Sequence, residues 1–275
     1  MKSNFLREIL LHIPLLITAS ICILPVWWVF ASALKTQQTI FTDFSLFPKN
    51  PNFANFILAW KKAEFGTYFI NSVVYTILVV GGILLIASFA AFAFSRLNFP
   101  LKNVFYYLFL AVLMIPVPGA IVGLYLLLNK LGLTNTRIGY VLPQINGGIP
   151  FGIYLIKTFM DKIPYELDEA AYIEGCNKFN LFWKIIFPLI KPAIGVLVIF
   201  NVLGVWNEYM LALLVLSDKH LMPLQRALVV FQGAHLVNYP LLMSGVIVTI
   251  LPVVIVYIFM QRYIISGIIQ GALKG

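Results

Sequence analysis

The feature that most constrains this chain is a repeated one: six stretches are apolar for the length of a bilayer crossing. They run roughly Ile9–Ala33, Tyr68–Phe94, Phe105–Leu128, Ile138–Phe159, Pro192–Leu216 and Leu241–Tyr263. About 20 mostly apolar residues suffice for a transmembrane helix. Backbone polar groups find no water in lipid, so such stretches satisfy them internally, as helices. Composition agrees: 61% of residues are hydrophobic and 11% charged, against about a quarter charged in a soluble globular chain. The expected fold is therefore an all-α polytopic membrane protein with six transmembrane helices.

Several other classes are excluded early. The net charge of +9 is not concentrated in basic runs interleaved with aromatics, so nucleic acid is not an expected partner. The excess Lys and Arg suit membrane edges instead. Cys22 lies in an apolar run and Cys176 in a polar loop, which gives neither a disulfide framework nor a metal site. The apolar run after Lys2 and Arg7 is too long for a signal-peptide core and lacks a small-residue cleavage pattern. It reads as a retained first helix.

Placing the N-terminus in the cytoplasm puts eleven basic residues on cytoplasmic segments and eight on external ones. That modest bias orients both termini inward. Three segments are expected: residues 1–66 as a first helix and external loop, 67–263 as a five-helix transport domain, and 264–275 as a cytoplasmic tail. The fourth stretch is interrupted by Pro143, Gln144, Asn146, Gly147, Gly148 and Pro150. Its backbone breaks are tolerable only against protein or a wet cavity, so a pathway and simple packing are both open. Gly119 and Gly123 form a small-xxx-small pair, expected to pack a helix.

The densest charge lies between the fourth and fifth stretches, from Asp161 to Gly175. Pro164 suits a first helical turn. Glu166, Asp168 and Glu169 complement the positive end of the helix dipole. Gly175 suits a C-terminal stop. Leu167, Ala170, Ala171 and Glu174 share one face. A helix of about ten residues is marginal alone, so it needs its own bundle or a partner's groove. The residues leave open whether it docks on another protein or is a solvated connector.

The stretch Glu169-Ala170-Ala171, three residues, Gly175, nine residues, Ile185-Ile186-Phe187-Pro188 closely resembles the EAA motif of ABC importer permeases. The one departure is Phe187, where Leu is usual. Further pieces recur in order in the carbohydrate-uptake branch, and within it in the subunit type of maltose permease G. They include Tyr68-Phe69-Ile70-Asn71-Ser72, Phe92-Ala93-Phe94-Ser95-Arg96-Leu97, Met114-Ile115-Pro116, Leu131-Gly132-Leu133-Thr134-Asn135-Thr136, Trp206-Asn207-Glu208-Tyr209 and Gln261-Arg262-Tyr263. The terminal Gly271-Ala272-Leu273-Lys274-Gly275 matches that branch's usual ending.

The resemblance implies an importer of two six-helix permease subunits, a cytoplasmic ATPase dimer and an external solute-binding protein, with a carbohydrate as cargo. It makes Glu169, Ala170, Ala171 and Gly175 part of a coupling helix seated on the ATPase. Ile185 and Pro188 would anchor the second arm of the loop. The chain has no G-x-x-x-x-G-K-[ST] phosphate loop. ATP and Mg are expected on the partner ATPase, with no cofactor and no catalytic site in this chain.

Glu208 is the one carboxylate deep in a predicted span, where a charge costs roughly 2.5–3.5 kcal/mol. It should face a cavity or a polar partner. Asn71, Gln144, Asn146, Asn201 and Asn207 could line the same translocation pathway or bond helix to helix. Within the external loop Ser217–Pro240, the resemblance points to Gln232, Gly233 and His235 as a contact for the binding protein. A secondary transporter would need coupling charges in several spans and an internal repeat. A membrane enzyme would need a catalytic cluster, which His12, His220 and His235 do not supply.

Overall fold

The computed structural model describes residues 2–115, 117–232 and 237–272. Its elements are helices; among the described residues the nearest thing to a sheet is one antiparallel bridge, Gln232 to Val237. In chain order the principal helices are α1 (Lys2–Ala33), α2 (Ala54–Lys62), α3 (Phe65–Arg96), α4 (Lys102–Val112), α5 (Val117–Lys130), α6 (Arg137–Met160) and α7 (Glu166–Ile173). There follow α8 (Lys178–Leu189), α9 (Lys191–Trp206), α10 (Met210–Val215), α11 (Leu224–Ala227) and α12 (Tyr239–Ala272).

Among the described residues, α1, α3 and α12 are long and apolar enough to cross a membrane. The pair α8 and α9, bent by 74°, makes a fourth if counted as one span. The third predicted span is split: α4 and α5, at 11 and 14 residues, flank a turn at Leu113–Ile115. Each is only about 16–21 Å long, short of the hydrocarbon thickness. The fifth is split too, after Trp206.

The fourth predicted span behaves in the opposite way. Despite Pro143 and Pro150, α6 is one continuous helix of 24 residues. Packing explains this. A Cβ on Gly152 would lie 2.7 Å from Ala87 Cβ and 3.2 Å from Leu197 Cδ2. Gly148 faces Ile83 of α3 and Asn201 of α9 as closely. The glycines let α6 approach both neighbours, and protein contact on those sides supports the proline-weakened ladder. Gly119 and Gly123 differ: nothing in the described chain approaches either, so the expected packing is not made within this chain.

The chain divides into two compact units. One comprises Met1–Gly66 and Ala227–Pro252. There the buried Lys35 ammonium donates to the carbonyls of Asp43 and Ser45, and Asn55 Nδ2 donates to the carbonyls of Ala33 and Lys35. Gln37 is bonded in both directions, to the Val237 carbonyl at 2.8 Å and from the Tyr239 N–H at 3.0 Å. The other unit comprises Thr67–Arg226 and Val253–Gly275. Its core includes Tyr75, Ile83, Ile153, Ile156, Phe182 and Leu197, all under 2% exposed.

Candidate coupling surface and outward loop

The loop between α6 and α8 is held by α3. Arg96, at the C-terminal end of α3, reaches across with its whole guanidinium. Its Nε lies 2.7 Å from Asp168 Oδ2, an ion pair that is buried on both sides. Its Nη2 donates to the Ile163 carbonyl at 2.8 Å. Its plane stacks over Tyr165, 4.3 Å to the ring centroid, and the Tyr165 hydroxyl donates to the Ser95 carbonyl at 2.9 Å. Ser95 Oγ in turn donates to Asp161 at 2.7 Å, and Asp161 pairs with Lys157 at 2.6 Å. A planar fork suits this use, since one side chain can pair, donate and stack at once. Burial pushes the Asp168 carboxyl above its ordinary value, and the Arg96 charge opposes that rise.

Helix α7 begins two residues after Pro164 and is shorter than expected. Tyr165 is its N-cap, with Pro164 just before it, and the helix has eight residues. The acids of the first turn divide by role. Asp168 and Ala171, at i and i+3, face inward and are buried. Glu169 and Ala170 are exposed, beside the exposed apolar side chains Leu167, Tyr172 and Ile173, the last at 88%. The inward face is therefore Asp168 with Ala171; of the row Leu167, Ala170, Ala171 and Glu174 that the spacing puts on one face, Ala171 alone is buried.

The C-terminal stop is complete. Gly175 has φ +82°. Its N–H bonds to the Tyr172 carbonyl at 3.0 Å, and the Cys176 N–H to the Ala171 carbonyl at 2.9 Å. These are the two bonds of a Schellman motif, whose left-handed position favours glycine. Cys176 packs on the core beside Ala171, the apolar contact that accompanies such a cap. Asn177 then caps α8 by accepting from the Asn180 N–H at 2.8 Å.

On the second arm, Ile186, Leu181 and Phe182 are fully buried, while Ile185 is half-buried and Pro188 exposed. The backbone widens to i→i+5 bonds over Leu181–Ile186, with the Phe187 N–H reaching the Phe182 carbonyl. Pro188 has no N–H to continue the normal ladder, and the widened turn lies directly before it.

The residues expected to line a pathway or an external loop fall into separate places. Asn71 is buried, and its amide is engaged on both sides: Nδ2 donates to the His220 and Met222 carbonyls at 2.7 and 3.1 Å, and Oδ1 accepts from Arg137 at 3.1 Å. With Tyr75, which donates to the Leu221 carbonyl at 2.6 Å, and Ser72, which accepts from the Leu224 N–H at 2.8 Å, it fastens α3 to residues 220–224. Gln144 and Asn201 each donate to a carbonyl of their own helix, at 2.9 and 2.8 Å. Asn146 is exposed.

Asn207 ends α9, its side chain donating to the Leu203 carbonyl at 3.0 Å. Glu208 lies two residues before α10 and caps it: its carboxylate accepts from the N–H groups of Leu211 and Ala212 at 2.6 and 3.1 Å. The polar partner expected for this acid of the fifth predicted span is thus a helix N-terminus. Gln232 is exposed at the bridge to Val237; Gly233 and His235 lie outside the described residues. Asn135 (φ +56°), which the sequence reading passed over as a site, accepts from the N–H groups of Ser217 and Asp218 at 3.0 and 2.8 Å. Its place inside the recurring Leu131–Thr136 piece was the available signal.

Residues 82–270, which contain the Arg96 clamp, α7 and its glycine stop, match the profile of the binding-protein-dependent transport system inner membrane component family. The chain belongs to that family. Among the permease's relatives, the diacetylchitobiose uptake system permease protein NgcG of Streptomyces coelicolor is 32% identical over 96% of this chain and 88% of its own. The arabinooligosaccharides transport system permease protein AraQ of Halalkalibacterium halodurans is 34% identical over 83% of this chain and 81% of its own. A chain in the crystal structure of a bacterial ABC transporter involved in the import of the acidic polysaccharide alginate has the same fold. Its TM-score is 0.82 at 23% identity, over 96% of this permease and 98% of that chain. The permease is therefore a multi-pass membrane subunit of an ABC importer.

Proposed function

We propose that this permease carries a carbohydrate inward across the cytoplasmic membrane by alternating access, with α7 as the element on which a separate ATPase dimer acts. The observation that carries the reading is the two-sided character of α7. Asp168 and Ala171 fix it to the membrane domain through Arg96, while Glu169, Ala170, Leu167 and Ile173 are presented outward. A helix so short gains little stability by itself. Fixed on one face and apolar-with-acid on the other, it suits a groove that supplies a basic partner for Glu169.

Closure of an ATPase dimer would move α7 as part of a rigid body, and the attached helices with it. The carbohydrate cargo rests on the names of the relatives, which transport diacetylchitobiose and arabinooligosaccharides. The complex would hold a second permease subunit and an external solute-binding protein, with ATP and Mg on the ATPase. Both termini would then be cytoplasmic, and the loop around Gln232 would face the binding protein.

The test is Glu169→Lys, at an exposed position that the fold does not use. Uptake should be lost and association with the ATPase weakened, while membrane insertion stays normal. Gly175→Arg should do the same more severely. Full uptake in both variants would sink the coupling role.

A further inference from the structure

Helix α2 has two unlike faces. Asn55 and Ala59 are buried. Asn55 ties the helix to the end of α1, through the carbonyls of Ala33 and Lys35 at 2.8 and 2.9 Å. Phe56 lies against Phe30 of α1, 6.2 Å between ring centroids, and Trp60 against Phe65, the first residue of α3, at 5.9 Å. The helix is therefore pinned to the ends of two membrane-crossing helices, and only Ala63 and Glu64 separate it from α3. The opposite face carries Phe53, Ile57 and Trp60 at i, i+4 and i+7, exposed by 61, 61 and 43%. Lys61 and Lys62 close the helix and are exposed. Phe44 and Phe47, on the segment leading to it, are each 74% exposed.

We propose that α2 is an interfacial helix, lying flat in the headgroup layer of the membrane. Phe53, Ile57 and Trp60 dip to the acyl boundary, and Lys61 and Lys62 reach anionic lipid phosphates. An apolar stripe, an indole and flanking lysines are what such a helix needs. A lipid surface is the occupant because the helix is held to helices already in the bilayer, to α1 by Asn55 and Phe56 and to α3 by a two-residue link. A water-facing helix at that level would expose three large apolar side chains for nothing. The identity of the leaflet as the outer one rests on the orientation proposed above.

The experiment uses the assembled transporter in liposomes of phosphatidylcholine and phosphatidylglycerol. Cys22 and Cys176 are replaced by Ala, and Ile57→Cys carries an environment-sensitive nitrobenzoxadiazole label. The expected result is blue-shifted emission, strong quenching by lipids with a shallow nitroxide, weaker quenching by a deep one, and little by aqueous iodide. The same label at the exposed loop position Lys219→Cys should show the reverse. Lys61→Gln with Lys62→Gln should reduce quenching by headgroup-labelled anionic lipid several-fold. Iodide quenching at Ile57 equal to that at Lys219 overturns the proposal. So does an Ile57 label that only the solute-binding protein shields. A membrane-impermeant reductant separately reports the leaflet, so a wrong orientation and a wrong proposal give different results.

Discussion

Arg96 Nε lies 2.7 Å from Asp168 Oδ2 with both side chains out of water, so the last residue of α3 is also part of the seat of α7. Two consequences can be measured. Arg96→Ala removes the charge, the donor to Ile163 and the cover over Tyr165 together. Removing one member of a buried pair costs on the order of 3 kcal/mol. Amide exchange across Glu166–Ile173 should accelerate, uptake should fall, and insertion should remain normal.

Asp168 gives a pH dependence with a definite sign. Its carboxyl is raised by burial, more than Arg96 lowers it. A group whose folded value is raised contributes stability below its unfolded value and loses it as pH rises through the folded one. Docking of α7 should therefore be tightest in the acid range and loosen upward from the ordinary carboxylate range. Asp168→Asn should flatten that profile. Hydrogen exchange of α7 against pH, corrected for intrinsic rates, checks it.

Gly175→Ala forces a side chain into the left-handed region, at roughly 1–2 kcal/mol. Gly175→Asn should cost less, because Asn tolerates that conformation. Exchange at the Cys176 amide, whose bond to Ala171 depends on the turn, should rank wild type, Asn and Ala in order of increasing rate.

Glu208→Ala should unfasten the first turn of α10 and cost about 1 kcal/mol, as for other lost caps. Glu208→Gln keeps one acceptor and should cost less. If the residue's work is capping, the loss appears as faster exchange at Leu211 and Ala212, with KM for the transported solute unchanged.

Gly152→Val overfills the contact with Ala87 and Leu197, with an expected cost of about 1–3 kcal/mol. The thermal midpoint of the purified complex should drop. Leu197→Ala should recover part of it in a double-mutant cycle.

How far these features were legible depends on whether the signal is local. The stop at Gly175 was legible, because a left-handed turn is a property of one residue type. So was the division between membrane and loop, a matter of summed transfer energy. The break at Leu113–Ile115 was hidden from hydropathy, since the turn residues are apolar; the signal that marks it, Pro116 and Pro118 just beyond, went unused. The continuity of α6 was hidden for the converse reason. Pro143 and Pro150 argue for a break, and only packing on Ile83, Ala87 and Leu197 overrides them. Arg96 and Asp168 were each visible, the one in a recurring piece and the other beside the EAA motif, but their pairing is tertiary. Glu208 was marked as a group in need of a polar partner and Asn71 as a pathway or helix-bonding residue; they engage backbone groups, with Arg137 also on Asn71, and no sequence pattern names these partners.

Helix α3 is gripped at one end by the Arg96 clamp on α7 and at the other by Asn71, Ser72 and Tyr75 on residues 220–224. Ser72 and Arg96 are about 36 Å apart along a helix rising about 1.5 Å per residue. A shaft of that length fixed to both loops has no slack in it. A push of the kind proposed at α7 would then reach residues 220–224 as motion of one helix, without a relay of intermediate contacts.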